Sequence, residues 1–116
     1  MLSADDILKS PDIGEIKTIK VPEWGGEVCV KVMSGAERDR WEIIQTTALR
    51  KNPASANIRA GLCAVTLCDE KGQRLFTDLQ IEELGKKSSI ALDRIFAVAQ
   101  RMNKLSNADL EELEKN

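Results

Sequence analysis

Leu67-Cys68-Asp69-Glu70-Lys71-Gly72-Gln73-Arg74-Leu75-Phe76-Thr77-Asp78 is the stretch on which the reading of this chain turns. An apolar segment runs into an Asp-Glu-Lys-Gly turn and a short extended piece, and then Thr77-Asp78-Leu79-Gln80 forms a capping box. In such a box the Thr hydroxyl and the Gln side chain each satisfy a backbone amide that a helix start leaves free. The short helix it opens stops at Gly85. Leu84-Gly85-Lys86-Lys87-Ser88 leads on, and Ser88 or Ser89 starts what is predicted to be the longest helix, running to about Lys104. Leu92, Ile95, Phe96 and Ala99 recur at helical spacing, and Ala91, Val98, Met102 and Leu105 widen that stripe. Ser106-Asn107-Ala108-Asp109 restarts a last short helix carrying Glu111, Glu112 and Glu114.

Working backwards, a helix is predicted over residues 56–68, with Ile58, Gly61, Leu62 and Val65 on one face. Asn52-Pro53 separates it from an earlier helix, because a proline disfavours the helical conformation in the residue before it. That earlier helix opens at the capping box Ser34-Gly35-Ala36-Glu37 and runs to near Arg50, with Trp41, Ile44 and Ala48 on one face. Residues 15–21 and 27–33 read as strands; Val28, Val30 and Val32 alternate with Cys29, Lys31 and Met33. Pro22-Glu23-Trp24-Gly25-Gly26 joins them, its paired glycines supplying the positive φ of a hairpin turn. Ser3 caps a short helix over residues 4–9, ended by Pro11 and Gly14. The predicted fold is mainly α, of the α+β kind: one helical domain with a small N-terminal β-hairpin. Residues 1–33 form the N-terminal helix and hairpin, 34–105 the helical core and 106–116 an acidic C-terminal helix.

The 116 residues suit one domain with a modest core. A net charge of −2 argues against nucleic acid as the main partner, because phosphate binding draws on a cationic excess. There is no Tyr and little aromatic content, so base-stacking platforms are not expected. No apolar run approaches the length of a membrane helix. Residues 1–10 include Asp5 and Asp6 and lack the apolar centre of a secretory leader. Cys29, Cys63 and Cys68 are odd in number and contain no Cys-x-x-Cys, which fits reduced thiols in a cytosolic protein.

The chain has no His, which removes the side chain best suited to acid–base work near neutrality and the commonest metal ligand. No Gly-x-x-x-x-Gly-Lys or Gly-x-Gly-x-x-Gly loop is present. The carboxylate pairs Asp5/Asp6, Asp69/Glu70 and Glu111/Glu112 fall in turns or on polar helix faces, where water solvates them. No catalytic residue, metal ligand or cofactor is expected. A small enzyme built on a carboxylate or Lys would need a closed polar pocket collecting such groups. Cys63 and Cys68 are five apart in one predicted helix and face different ways, as small buried side chains do.

What remains is binding. Trp24 at the hairpin tip is either folded back over the core or offered to a partner. The Leu92, Ile95, Phe96, Ala99 and Met102 stripe is either core or a contact for a second copy or an apolar client. Lys87, Arg94 and Arg101 recur every seven residues, and residues 86–104 carry five basic side chains against Asp93 alone. That row is either a solvated face or a surface for acidic groups, including those of the C-terminal segment.

Several separated pieces, in this order and spacing, resemble the tail assembly chaperones of siphophage-type long-tailed bacteriophages. They are Val21-Pro22-Glu23-Trp24-Gly25-Gly26, Ser34-Gly35-Ala36-Glu37-Arg38-Asp39, the stretch quoted first, Leu84-Gly85-Lys86-Lys87-Ser88, Leu92-Asp93-Arg94-Ile95-Phe96 and Ala99-Gln100-Arg101-Met102-Asn103. The resemblance covers nearly the whole chain. It implies a mainly helical, non-enzymatic protein of the host cytoplasm that is absent from the mature virion. Its partners would be the tape measure protein, which such chaperones keep soluble, the tail tube protein, and further copies of itself in a homo-oligomer. No nucleic acid, membrane or cofactor is implied. The resemblance also implies a frameshift-extended form that recruits the tube protein; Glu114-Lys115-Asn116 is compatible with a slippery A-AAA-AAC, and GAG or AAG codons there would remove that idea. The partner-binding residues expected on this basis are Trp24, Leu92, Ile95, Phe96, Ala99, Met102, Lys87, Arg94 and Arg101. The competing identity is a small non-enzymatic adaptor or antitoxin-like module from a mobile element. A tape measure gene just downstream separates the two.

Overall fold

A computed structural model describes residues 1–115, with side chains through residue 113. Glu114-Lys115-Asn116, considered above for its codons, lies outside the described side chains. The architecture is mainly α with a small antiparallel sheet near the N-terminus. In chain order the elements are α1 (Ala4–Lys9), β1 (Ile16–Val21), β2 (Gly26–Lys31), α2 (Gly35–Lys51), α3 (Ile58–Thr66), β3 (Leu67–Cys68), α4 (Ile81–Leu84), α5 (Ser89–Met102) and α6 (Asn107–Lys115).

The helix starts follow local chemistry. Ser34 Oγ accepts from the Glu37 amide at 3.1 Å while Glu37 Oε1 accepts from the Ser34 amide at 2.9 Å. The same reciprocal pair forms between Ser3 and Asp6, and between Ser106 and Asp109. Ser88, rather than Ser89, caps α5. α2, at 17 residues, is the longest helix, ahead of the 14 of α5, which corrects the expected order. The order reverses because α5 ends at Met102, short of the expected Lys104, while α2 runs to Lys51, one residue past the expected Arg50; only Trp41 and Gln45 are buried along α2.

β1 and β2 pair antiparallel from Ile16↔Lys31 to Val21↔Gly26. The connection is a single 3-10 turn, Pro22–Trp24, closed by Gly25 at φ 71°. One glycine, not two, takes the left-handed conformation; Gly26 is already in the strand. β3 corrects a second boundary. The apolar pattern places Leu67 and Cys68 at the end of a helix, but they pair with Val30 and Cys29 and extend the hairpin to three strands. After β3, Asp69 Oδ1 accepts from the amides of Lys71 and Gln73, and Gly72 at φ 85° closes the turn.

The core lies where α3 crosses α5 under the sheet. Leu62, Cys63, Leu67, Ile95 and Ala99 are fully buried there, with Val21 and Val30 arriving from the strands. Asn103, at the end of α5, ties the sheet exit to this core. Its Oδ1 accepts from the Met33 amide at 2.7 Å, and its Nδ2 donates to the Lys31 and Ala99 carbonyls. α6 packs along α2, with Leu110 and Leu113 against the core cluster.

Candidate functional site

α5 organises every surface the sequence singled out. Leu92, Ile95 and Ala99 point into the chain's own core, at 4, 0 and 0% exposure, beside Ala91 and Val98. Those three expected partner residues are therefore spent on packing against α3. Phe96 and Met102 are half-buried. At 100° per residue, Arg94 and Arg101 fall on one flank of the buried stripe and Phe96 on the other.

The Arg94 flank meets the hairpin tip. Trp24 is folded back: it is half-buried against the core, with its indole N–H enclosed and unpartnered. Glu23 holds the tip to α5 through a two-pronged pair, with Arg94 Nε 2.8 Å from Oε1 and Nη2 3.0 Å from Oε2. The guanidinium holds the Glu23 carboxyl below its ordinary range, and the carboxylate raises Arg94 in turn. Beside Trp24 lies a small apolar pocket of about 280 Å³, walled by Phe76 and Leu84 with Glu83 and Lys87 at its mouth. Lys87 and Arg101 are exposed. The acidic C-terminal helix rests on α2, where Asp109 is held below its ordinary range by Ser106 and feels the Arg38 charge.

The Phe96 flank faces a second hollow, about 460 Å³, between α5 and the residues joining α2 to α3. Pro53, Ala54 and Ile58 form one side, and Leu92 and Phe96 the other. Its shape depends on two backbone features. Asn57 sits at φ 53°, and its Nδ2 donates to the Ser55 carbonyl at 3.0 Å. Gly85 passes so close that a Cβ there would lie 2.3 Å from Asn57 Oδ1, so a larger residue would have to push the Asn57 amide aside. Arg59 and Lys87 stand at the rim, with Arg59 paired to Asp93 across the α3–α5 seam. Sequence reasoning missed this hollow. Its walls come from two segments about 30 residues apart, and no local pattern marks their meeting.

The shifted titrations have structural causes. Burial and the Asp93 charge push the Cys63 thiol up to about 12, and burial raises Cys68. Glu37 is pushed up by partial burial, but Lys31 Nζ at 2.7 Å and the Ser34 amide outweigh this and hold it below its ordinary value. Asp6 is lowered by the Ser3 cap. Each is a cap, an ion pair or a buried thiol, not an acid set against a base. Among the described residues no group of three or more His, Cys, Asp or Glu is placed to hold a metal ion, and no helix is long and apolar enough to cross a membrane.

The fold and these surfaces define a small α-rich protein with apolar hollows and charged flanks gathered around α5. The family model for phage tail assembly chaperones matches residues 7–116, and the chain belongs to that family. The solved structure of the bacteriophage HK97 tail assembly chaperone superposes with a TM-score of 0.60 at 22% identity, covering 89% of this chain and 95% of that one. The two share a fold. No curated protein matches the sequence.

Proposed function

We propose that this chain acts by binding, not catalysis, in the host cytoplasm, where it holds the tape measure protein soluble during tail assembly and helps bring tail tube subunits to it. It leaves before the virion matures. The observation that carries the reading is family membership over nearly the whole length. The Arg94 flank supports a place for the client: the Trp24 edge, Phe76 and Leu84 offer an apolar seat lined also by Lys87, and Arg101 is exposed two turns beyond Arg94 along the same flank of α5. An apolar helix carrying acidic side chains suits such a surface. The chaperone works as a homo-oligomer, and a frameshift-extended form carries the tube-recruiting part.

The test is co-expression with the tape measure protein of the same genome, followed by pull-down and a solubility assay. The tape measure protein should co-purify and stay soluble, and Arg101→Glu, an exposed change, should weaken this without altering the circular dichroism. An insoluble tape measure protein, with both this chain and its extended form, sinks the reading.

A further inference from the structure

β1 is the outer strand of the sheet: β2 pairs with one side of it, β3 follows β2, and no strand pairs with its other side. The phase of the ladder decides which of its peptide groups are left over. The Asp69 amide donates to the Gln73 carbonyl and the Leu75 amide to the Leu67 carbonyl, so Leu67 and Asp69 turn away from β2 and Cys68 turns toward Cys29. Cys29 then directs its N–H and C=O to β3, while Val28 and Val30 direct theirs to β1, against Ile19 and Lys17. The residues between, Ile16, Thr18 and Lys20, point their N–H and C=O groups outward along the free edge. Among the described residues nothing hydrogen-bonds to those groups. Thr18 and Lys20 are exposed, so the edge is open to solvent. It is six residues long, with no proline and no bulge, and its register runs unbroken from Ile16↔Lys31 to Val21↔Gly26. Such an edge is a template for another strand.

We infer that the free edge of β1 takes an extended acidic segment of a partner protein as a further strand, with its backbone paired to Thr18 and Lys20 and its carboxylates beside Lys17 and Lys20. The charge argument is local. Lys17 and Lys20 are the charged residues of β1, both exposed, and among the described residues neither forms an ion pair. An added strand runs about 5 Å from β1, next to both. The nearest acids stand farther off. Glu27 faces Lys20 from β2, about 10 Å from the added strand, and Glu15 precedes β1. The hollow of about 290 Å³ at the Ile16 end of the sheet does not supply the sign, because Lys31 there is held by Glu37 at 2.7 Å and Glu15 offsets Lys71.

The lysines also say what the edge refuses. Two β1 edges side by side gather the lysines of both copies along one seam with no acid between them, which is unfavourable. An acidic strand turns the same two residues from a barrier into a contact. Lys17 and Lys20 lie on opposite faces of the sheet, three residues apart. The segment that fits therefore carries its acids three apart too, with β-branched residues between them opposite Thr18 and Ile19. Main-chain hydrogen bonds hold such a strand and the side chains select it. The contact is made by a different element from the helix seat on the Arg94 flank and stands independently of it.

The test uses the full chain and two capped peptides, acetyl-Thr-Glu-Val-Ile-Glu-Thr-amide and its counterpart with Lys in place of both Glu, read by amide hydrogen exchange. In the free chain the Lys17 and Ile19 amides, bonded to β2, should exchange slowly and those of Thr18 and Lys20 fast. The acidic peptide should slow Thr18 and Lys20 by about tenfold or more and leave Lys17 and Ile19 as they were, and the basic peptide should change none of them. Thr18→Pro removes one outward donor without removing a bond to β2, a place where an edge strand tolerates proline, and should weaken binding of the acidic peptide. Lys17→Glu with Lys20→Glu should exchange the roles of the two peptides, with circular dichroism unchanged because both side chains are exposed. The charge swap and the wild-type pattern do not depend on Thr18→Pro, so they decide the matter if that variant fails to fold. No protection at millimolar peptide, protection that does not alternate, or acidic and basic peptides acting alike overturns the inference. So does a Glu variant that still favours the acidic peptide. Protection of Thr18 and Lys20 that arises without peptide as the chain is concentrated gives the edge to a second copy and overturns it as well.

Discussion

At the residue scale, the most constrained contact is between Gly61 and Gln45. A Cβ on Gly61 would lie 2.3 Å from Gln45 Oε1, and Gln45 is 1% exposed with its Nε2 donating to the Ala56 carbonyl at 3.2 Å. The amide has nowhere to retreat without giving up that bond. Gly61→Ala should therefore cost about 1–3 kcal/mol. Gln45→Ala opens space for the new methyl, so the double variant should lose clearly less than the two single losses added together, as read by urea denaturation. Glu37 supplies a pH handle. Its folded pKa is depressed below the ordinary 4.5, so its contribution is present above that value and is lost as pH falls through the folded one. The urea midpoint should drop on acidification below about pH 4.5. Glu37→Gln should start lower and fall less over the same range, and an equal fall would assign the acid sensitivity elsewhere.

At the scale of elements, legibility followed locality. The capping box at Ser34, the helix restart at Ser106 and the cap at Ser3 were readable because cap and helix start lie within four residues of each other. β3 was not readable. Leu67 and Cys68 continue the apolar pattern of α3, and what makes them extended is pairing with Cys29 and Val30, nearly forty residues away. α2 was legible to within a residue, from the Ser34 capping box to the Asn52-Pro53 break, because both ends are marked locally. The α5 stripe left core and contact surface as alternatives, and the crossing of α3 buries Leu92, Ile95 and Ala99 while Phe96 and Met102 stay half-buried. Leu92 is core, and Leu92→Ala should cost about 2–5 kcal/mol. Phe96 is half-buried at the rim of the hollow, so Phe96→Ala should cost less than Leu92→Ala in the same denaturation experiment. The reverse order would mean that Phe96 belongs to the core.

At the scale of the whole molecule, the α3–α5 seam joins everything else, and Cys63 is a probe already built into it. The thiol is fully buried, its Sγ donates to the Leu92 carbonyl at 3.6 Å, and burial with the Asp93 charge pushes its pKa up to about 12. A thiol reagent attacks the thiolate, so reaction requires both exposure and a normal pKa. Both return only when α3 parts from α5, which also unseats Ile95 and Ala99 and so dismantles the core. Cys29, partly exposed on β2, needs no such opening. In native buffer Cys29 should label first, and Cys63 should label at a rate that rises with denaturant as steeply as global unfolding does. If Cys63 instead labels quickly with no dependence on denaturant, the seam opens on its own while the sheet stays folded. A seam that opens would also let Leu92, Ile95 and Ala99 reach a client, so the labelling rate decides whether the stripe serves only as core or also as an interface exposed on demand.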